Sequence, residues 1–222
     1  MASARKKPAP PPPEAREATA ILVSFLEVAL HALLYARELY TPAAFEPREH
    51  FGVQTRMCRH PGVRASVSAV LADARPHIAA GSIESLIVLV FDEQGNALEQ
   101  FCFDVNIAAP PVESSMFGLN AALGEALMRI AALDRTLPRL PAGCFFEILL
   151  DVHEGGERAE GPRPEHGTTS ILDPDSPWTR VSSTDPEAAL WSHARFAPAL
   201  PSAWLGVVRA GSLELWVRMQ RR

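Results

Sequence analysis

The sequence predicts an α+β domain in which helices pack on an antiparallel sheet, followed by a long C-terminal segment of a different character. Three observations carry this. Ile21 to Pro42, ILVSFLEVALHALLYARELYTP, is apolar on nearly every helical face. Ile83 to Val105 holds two strand-like runs around the turn Asp92-Glu-Gln-Gly-Asn96. From residue 153 onward, core-forming runs give way to Gly, Pro and charge, then to aromatics.

The 222 residues are enough for a sizeable core in one domain. The formal net charge of −5 provides no overall basic field to draw nucleic acid. Three cysteines, Cys58, Cys102 and Cys144, cannot all pair. They lack metal-ligand spacing and read as core or partly buried thiols.

Residues 1–17 read as a Pro-rich tail: Pro10 to Pro13 form a run that favours extended polyproline, with no side chains to build a core. A docking peptide is the other use of such a tail. The helix that follows must be buried on several sides or span a bilayer. Glu27 and His31 fall one turn apart on one face, which is costly in lipid, so the segment reads as the central helix of a soluble domain. Glu14, Glu17 and Glu27 also depart from the short uncharged core of a signal peptide.

Pro42 and Pro47 break the chain. Pro61 suits a first helical turn and Gly81 a helical stop, with Val63, Val67, Val70 and Leu71 at helical spacing between them. Pro76 should distort the last turn of this helix. Ile83–Phe91 and Ala97–Val105 form a hairpin. Ser114 or Ser115 can cap a third helix reaching Leu137, closed by Pro138. Cys144–Val152 is a third strand. Residues 18–152 thus form a two-layer core.

Glu154 to Pro177 make too long a connection to be ordinary, which suggests a mobile or functional segment. Beyond it stand Trp178, Leu190, Trp191 and Phe196, then a hairpin from Ala203–Val208 and Leu213–Met219. Large aromatics in such a segment need somewhere to pack. It either wraps onto residues 18–152 or clasps something else.

No phosphate loop, dinucleotide fingerprint, zinc-protease helix or nucleophile elbow occurs. His153, His166 and His193 lack a ligand arrangement suggesting zinc. Glu147 and Asp151 share one side of a strand and read as a solvated strand face rather than an acid/base pair. The residues by themselves favour a binding module over an enzyme.

FLEVALHALLYARELY (Phe25–Tyr40), then Phe45, Met57, His60-Pro61 and IVLVFDEQGNALEQFCFDV (Ile87–Val105), resemble the HORMA-domain family. Within it they are most similar to the accessory, non-catalytic subunits of translesion DNA polymerase zeta. Shorter matches follow at Pro141–Phe145, Ser176–Trp178 and Leu213–Val217. The resemblance implies three helices on a sheet and a C-terminal safety belt, here 153–222. The belt closes over an extended partner peptide, which adds a strand to the sheet.

The partners implied are the catalytic subunit of polymerase zeta, through a peptide, and the C-terminal domain of a Y-family scaffold polymerase. An AAA+ remodelling ATPase is implied as well, and so is a nuclear location. No enzyme activity, cofactor, metal, membrane or sequence-specific nucleic-acid binding is implied. Other clients in the family belong to the spindle checkpoint, the meiotic chromosome axis and end-joining control.

Residue by residue, Trp178 matches the belt tryptophan that packs on the peptide. Ser66 stands where the animal proteins have a peptide-contacting tyrosine. Glu214, Leu215 and Trp216 match the hairpin positions facing the scaffold polymerase, and Phe196 an apolar contact of that surface. The family has Gln and Tyr where this chain has Glu214 and Trp216. Gly124 stands where the family carries an arginine used for HORMA–HORMA dimerisation. Each site residue also has a packing explanation. Trp178, after a proline, could anchor a loop. Leu215 and Trp216 alternate, so one of the two faces inward; Leu215 is the expected core residue. Tyr40 and Phe45 read as core and lid.

Overall fold

The computed structural model describes residues 13–107, 116–152, 202–210 and 213–221. The first helix, α1, runs Pro13–Ala36. It therefore begins inside the stretch 1–17 expected as an extended tail. A proline at a first helical position costs no hydrogen bond, and Glu14 and Glu17 suit the positive end of the helix dipole.

Leu22, Phe25, Leu26, Ala29, Leu30 and Leu33 on α1 are all essentially inaccessible. The helix is long and apolar enough to cross a membrane. Its faces are instead occupied by α2 (Pro61–Ala80), α3 (Met116–Ala131) and the strand β2. His31 is buried with an unpartnered Nδ1; burial first, and then the Arg64 charge, lower its pKa to about 4.

Helix α1 ends in a Schellman motif: Leu39 N–H donates to Leu34 O and Glu38 N–H to Tyr35 O, with Glu38 left-handed at φ 52°. Helix α2 ends the same way at Gly81, where the sequence placed its stop. Pro76 lies inside α2, which continues to Ala80.

Two strands that the sequence did not announce, β1 (Phe45–His50) and β2 (Val53–Cys58), form a separate hairpin. Their turn, Phe51-Gly52, has positive φ at both residues (53° and 72°), which fits the right-handed twist of a two-residue loop. A phenylalanine is an unusual occupant of that position. Its ring packs edge-on against Phe25 at 6.0 Å, which offsets the backbone cost.

The main sheet contains β3 (Ile83–Phe91), β4 (Ala97–Ile107), β5 (Phe145–Val152), β6 (Ser202–Ala210) and β7 (Leu213–Arg221). Its order is β5-β3-β4-β7-β6 and every pair is antiparallel. Leu86, Val88, Val90, Phe101, Phe103, Val105, Leu150 and Val217 join α1, α2 and α3 in the main core. Ile87, Leu89, Phe91, Ala97 and Cys102 form a smaller cluster on the other side of the sheet. The third helix is interrupted: α3 stops at Ala131, and a single turn, α4 (Leu133–Thr136), completes the path to Leu137. Cys58 and Cys102 are buried, Cys144 is partly buried, and none is oxidised.

Candidate functional site

The strand order defines the site. Strand β3 is inside the sheet, paired on both sides. Strand β4 is inside only because β7 pairs with it from Glu99↔Arg221 to Ile107↔Leu213. Strand β5 has β3 on one side and, among the described residues, no strand on the other. Its outer N–H and C=O groups form a template for one more extended chain. Val152 and Ser202, the described residues on either side of 153–201, lie on strands at opposite borders of the sheet.

The β4 side is tied down. Arg37, at the end of α1, donates from Nε to Glu99 Oε2 at 2.8 Å and from Nη2 to Glu99 Oε1 at 2.9 Å. Nη2 also donates to Pro138 O at 2.8 Å. Both side chains are buried, so this charge-assisted fork joins the end of α1, the start of β4 and the loop after α4.

The β5 side is different. Phe145 is 43% exposed and stacks on Phe91 with centroids 5.2 Å apart and planes 18° apart. On the helix side, Tyr40 meets Phe146 edge-on at 6.3 Å. Tyr40 is 37% exposed and so is not the core residue expected, because the left-handed turn at Glu38 carries the chain out of the core. Phe45 is buried with Leu34, Cys58 and Val63, in keeping with a core role. Glu147 is half-buried rather than the solvated carboxylate expected, and burial raises its pKa. It sits opposite Leu89, in apolar surroundings.

Ser66 lies on an exposed face of α2, a helix that packs against β3 and β5. Its hydroxyl donates to Gly62 O at 2.9 Å within its own helix. Glu214, Leu215 and Trp216 lie on β7 opposite Asn106, Val105 and Asp104. Val217, the neighbour of Trp216 on this strand, is buried in the core. Trp178 and Phe196 lie outside the described residues.

Gly124 is buried on α3 against the β1–β2 turn. A Cβ there would fall 2.6 Å from Phe51 O and 3.2 Å from Val53 Cγ1. An arginine at 124 would require the hairpin to move. Among the described residues no group of three or more His, Cys, Asp or Glu could hold a metal ion.

Sequence reasoning missed Phe145 and Tyr40 as exposed flanks of β5, because edge status is a property of topology. The adjacent aromatics Phe145 and Phe146 in a strand that alternates to both faces were the available signal.

A family model described as the HORMA domain matches residues 19–157. The human protein named mitotic spindle assembly checkpoint protein MAD2B is 29% identical over 143 residues, covering 62% of this chain and 67% of its own length. The Arabidopsis thaliana protein named DNA polymerase zeta processivity subunit is 31% identical over 130 residues, covering 57% and 60%.

Among solved structures, a chain of the mitotic checkpoint complex superposes with a TM-score of 0.70 at 17% identity, covering 92% of this chain and 98% of its own. C. elegans HTP-2 bound to the HIM-3 closure motif gives 0.66 at 11% identity, covering 93% and 91%. Both likenesses are of fold.

Proposed function

This chain belongs to the HORMA-domain family, and on that premise we propose that it is a non-enzymatic adaptor of translesion DNA synthesis. In this reading it captures a peptide of the polymerase zeta catalytic subunit as an added strand on β5. Residues 153–222 act as the belt over that peptide. The β6–β7 hairpin, through the segment Glu214, Leu215 and Trp216, and with Phe196 as a further contact, receives the C-terminal domain of a Y-family scaffold polymerase. The protein works in the nucleus, and an AAA+ ATPase resets the belt.

One observation carries the peptide-capture part: among the described residues, the order β5-β3-β4-β7-β6 leaves β5 as a border while the chain's own C-terminal hairpin occupies the other side. The name of the Arabidopsis relative supports the polymerase assignment. The checkpoint names of other relatives favour a second reading, a HORMA adaptor for a client in the spindle checkpoint, the meiotic axis or end-joining control.

Isolating the full chain from nuclei of DNA-damaged cells and sequencing the peptide cross-linked to β5 decides between them. A segment of the polymerase zeta catalytic subunit is expected. A checkpoint or chromosome-axis peptide in its place overturns the translesion assignment.

A further inference from the structure

Strand β5 carries two unusual groups on the side of the sheet away from the helices. Phe145 pairs with Phe91 and Glu147 with Leu89 in the β3–β5 register. The Phe145 ring has one face stacked on the buried Phe91 and remains 43% exposed. A large aromatic half in water at a strand edge is a liability unless something covers it. Two residues on, Glu147 is a half-buried carboxylate next to an apolar neighbour. Among the described residues, no hydrogen bond or ion pair engages it. Burial without a partner disfavours its charged form, which is why its pKa rises.

A strand added to β5 has the same period of two, so it presents side chains to these two positions together. Residues directly opposite across a strand pair stand about 5 Å apart at Cβ and interact most strongly as aromatic pairs or opposite charges. We propose that β5 reads two side chains of the strand it captures: an aromatic residue set against Phe145 and, two positions along, a lysine or arginine set against Glu147. The aromatic residue extends the Phe91–Phe145 stack and removes its outer face from water. The cation supplies the counter-charge that Glu147 lacks. This rests on the reading that β5 captures an extended peptide, and it adds which peptide chemistry is preferred.

The test is selection of a library of random short peptides, fused to a carrier and co-expressed with the full chain, against the natural sequence and three variants. With the natural sequence, the captured peptides should carry an aromatic residue two positions from Lys or Arg. Glu147→Lys should exchange that basic preference for Asp or Glu while keeping the aromatic one. Phe145→Thr should erase the aromatic preference and keep the basic one. Glu147→Gln, which preserves size, should lower the affinity of a selected peptide by up to about fivefold, the worth of one cross-strand charge pair.

The same consensus for the natural chain and for Glu147→Lys would overturn the two-position code while leaving peptide capture intact. Failure of the natural chain to capture any peptide would overturn peptide capture itself, and the code with it.

Discussion

Two glutamates on two strands of one sheet have opposite surroundings. Glu99, on β4, is fully buried and gripped by both arms of Arg37. Glu147, on β5, is half-buried with no partner among the described residues, and burial shifts its pKa upward. The β4 side is completed by the chain itself, through the ion pair to α1 and through β7. Among the described residues, the β5 side is left with an unpaired ladder, an exposed aromatic and a half-buried carboxylate. One side is closed by the chain's own contacts, and the proposed capture of a peptide rests on the other.

The largest way to break the contrast is Glu99→Ala. Removing one partner of a buried ion pair leaves the other charge stranded, and stability should fall by about 3–5 kcal/mol. Chemical denaturation measures it. The apolar pair Arg37→Met with Glu99→Leu should recover most of the loss, because it removes both desolvation costs. Recovery failing altogether would mean that the fork specifies the position of α1 rather than merely balancing charge.

Next comes the hairpin that completes the β4 side. Leu215→Ala should cost about 2 kcal/mol or more, as for a buried leucine, if Leu215 is the core residue the strand alternation suggests. Trp216→Ala should leave the melting temperature nearly unchanged. It should abolish binding of the scaffold polymerase's C-terminal domain, read by calorimetry, and spare peptide capture. Loss of both partners together would contradict two separate surfaces.

For the captured peptide, Trp178→Ala should weaken binding by about 2 kcal/mol or more if Trp178 is a desolvated anchor, with the fold retained. Unchanged affinity would make it a packing residue.

The smallest effect belongs to Glu147. Its folded pKa lies above its unfolded value, so the charged form costs stability once pH rises above that unfolded value, and the penalty is complete above the folded pKa. Glu147→Gln should therefore raise the melting temperature slightly at pH 7. The gain should vanish as the pH falls below the ordinary carboxylate range. An equal gain at both ends of the titration would show that charge is not its cause.

Much of this arrangement was legible locally. The α1 pattern, the Pro61-to-Gly81 limits of α2 and the Asp92–Asn96 turn of the β3–β4 hairpin each rest on neighbours in sequence. So did the C-terminal hairpin, apart from its exact ends. The β1–β2 hairpin escaped notice because Pro47 and several charges interrupt any strand pattern. The structure tolerates Pro47 because β1 pairs only with β2 and needs no donor on its outer side.

The sequence by itself thus determined most of the helices and strands, the β1–β2 hairpin and the break before α4 excepted, that α1 must be buried, and, through the HORMA resemblance, the family. Tertiary structure alone decided that β7 docks on β4, that β5 is a border among the described residues, and that Gly124 has no room for a side chain beneath Phe51 O. The physical reason is range. Caps, turns and periodicity act over a few residues, whereas β4 and β7 meet across about a hundred residues of chain, and any exposed ladder could in principle have accepted the hairpin. Which border is filled, and so which is free to bind, is settled by packing such as that of Val217 in the core, not by any local signal.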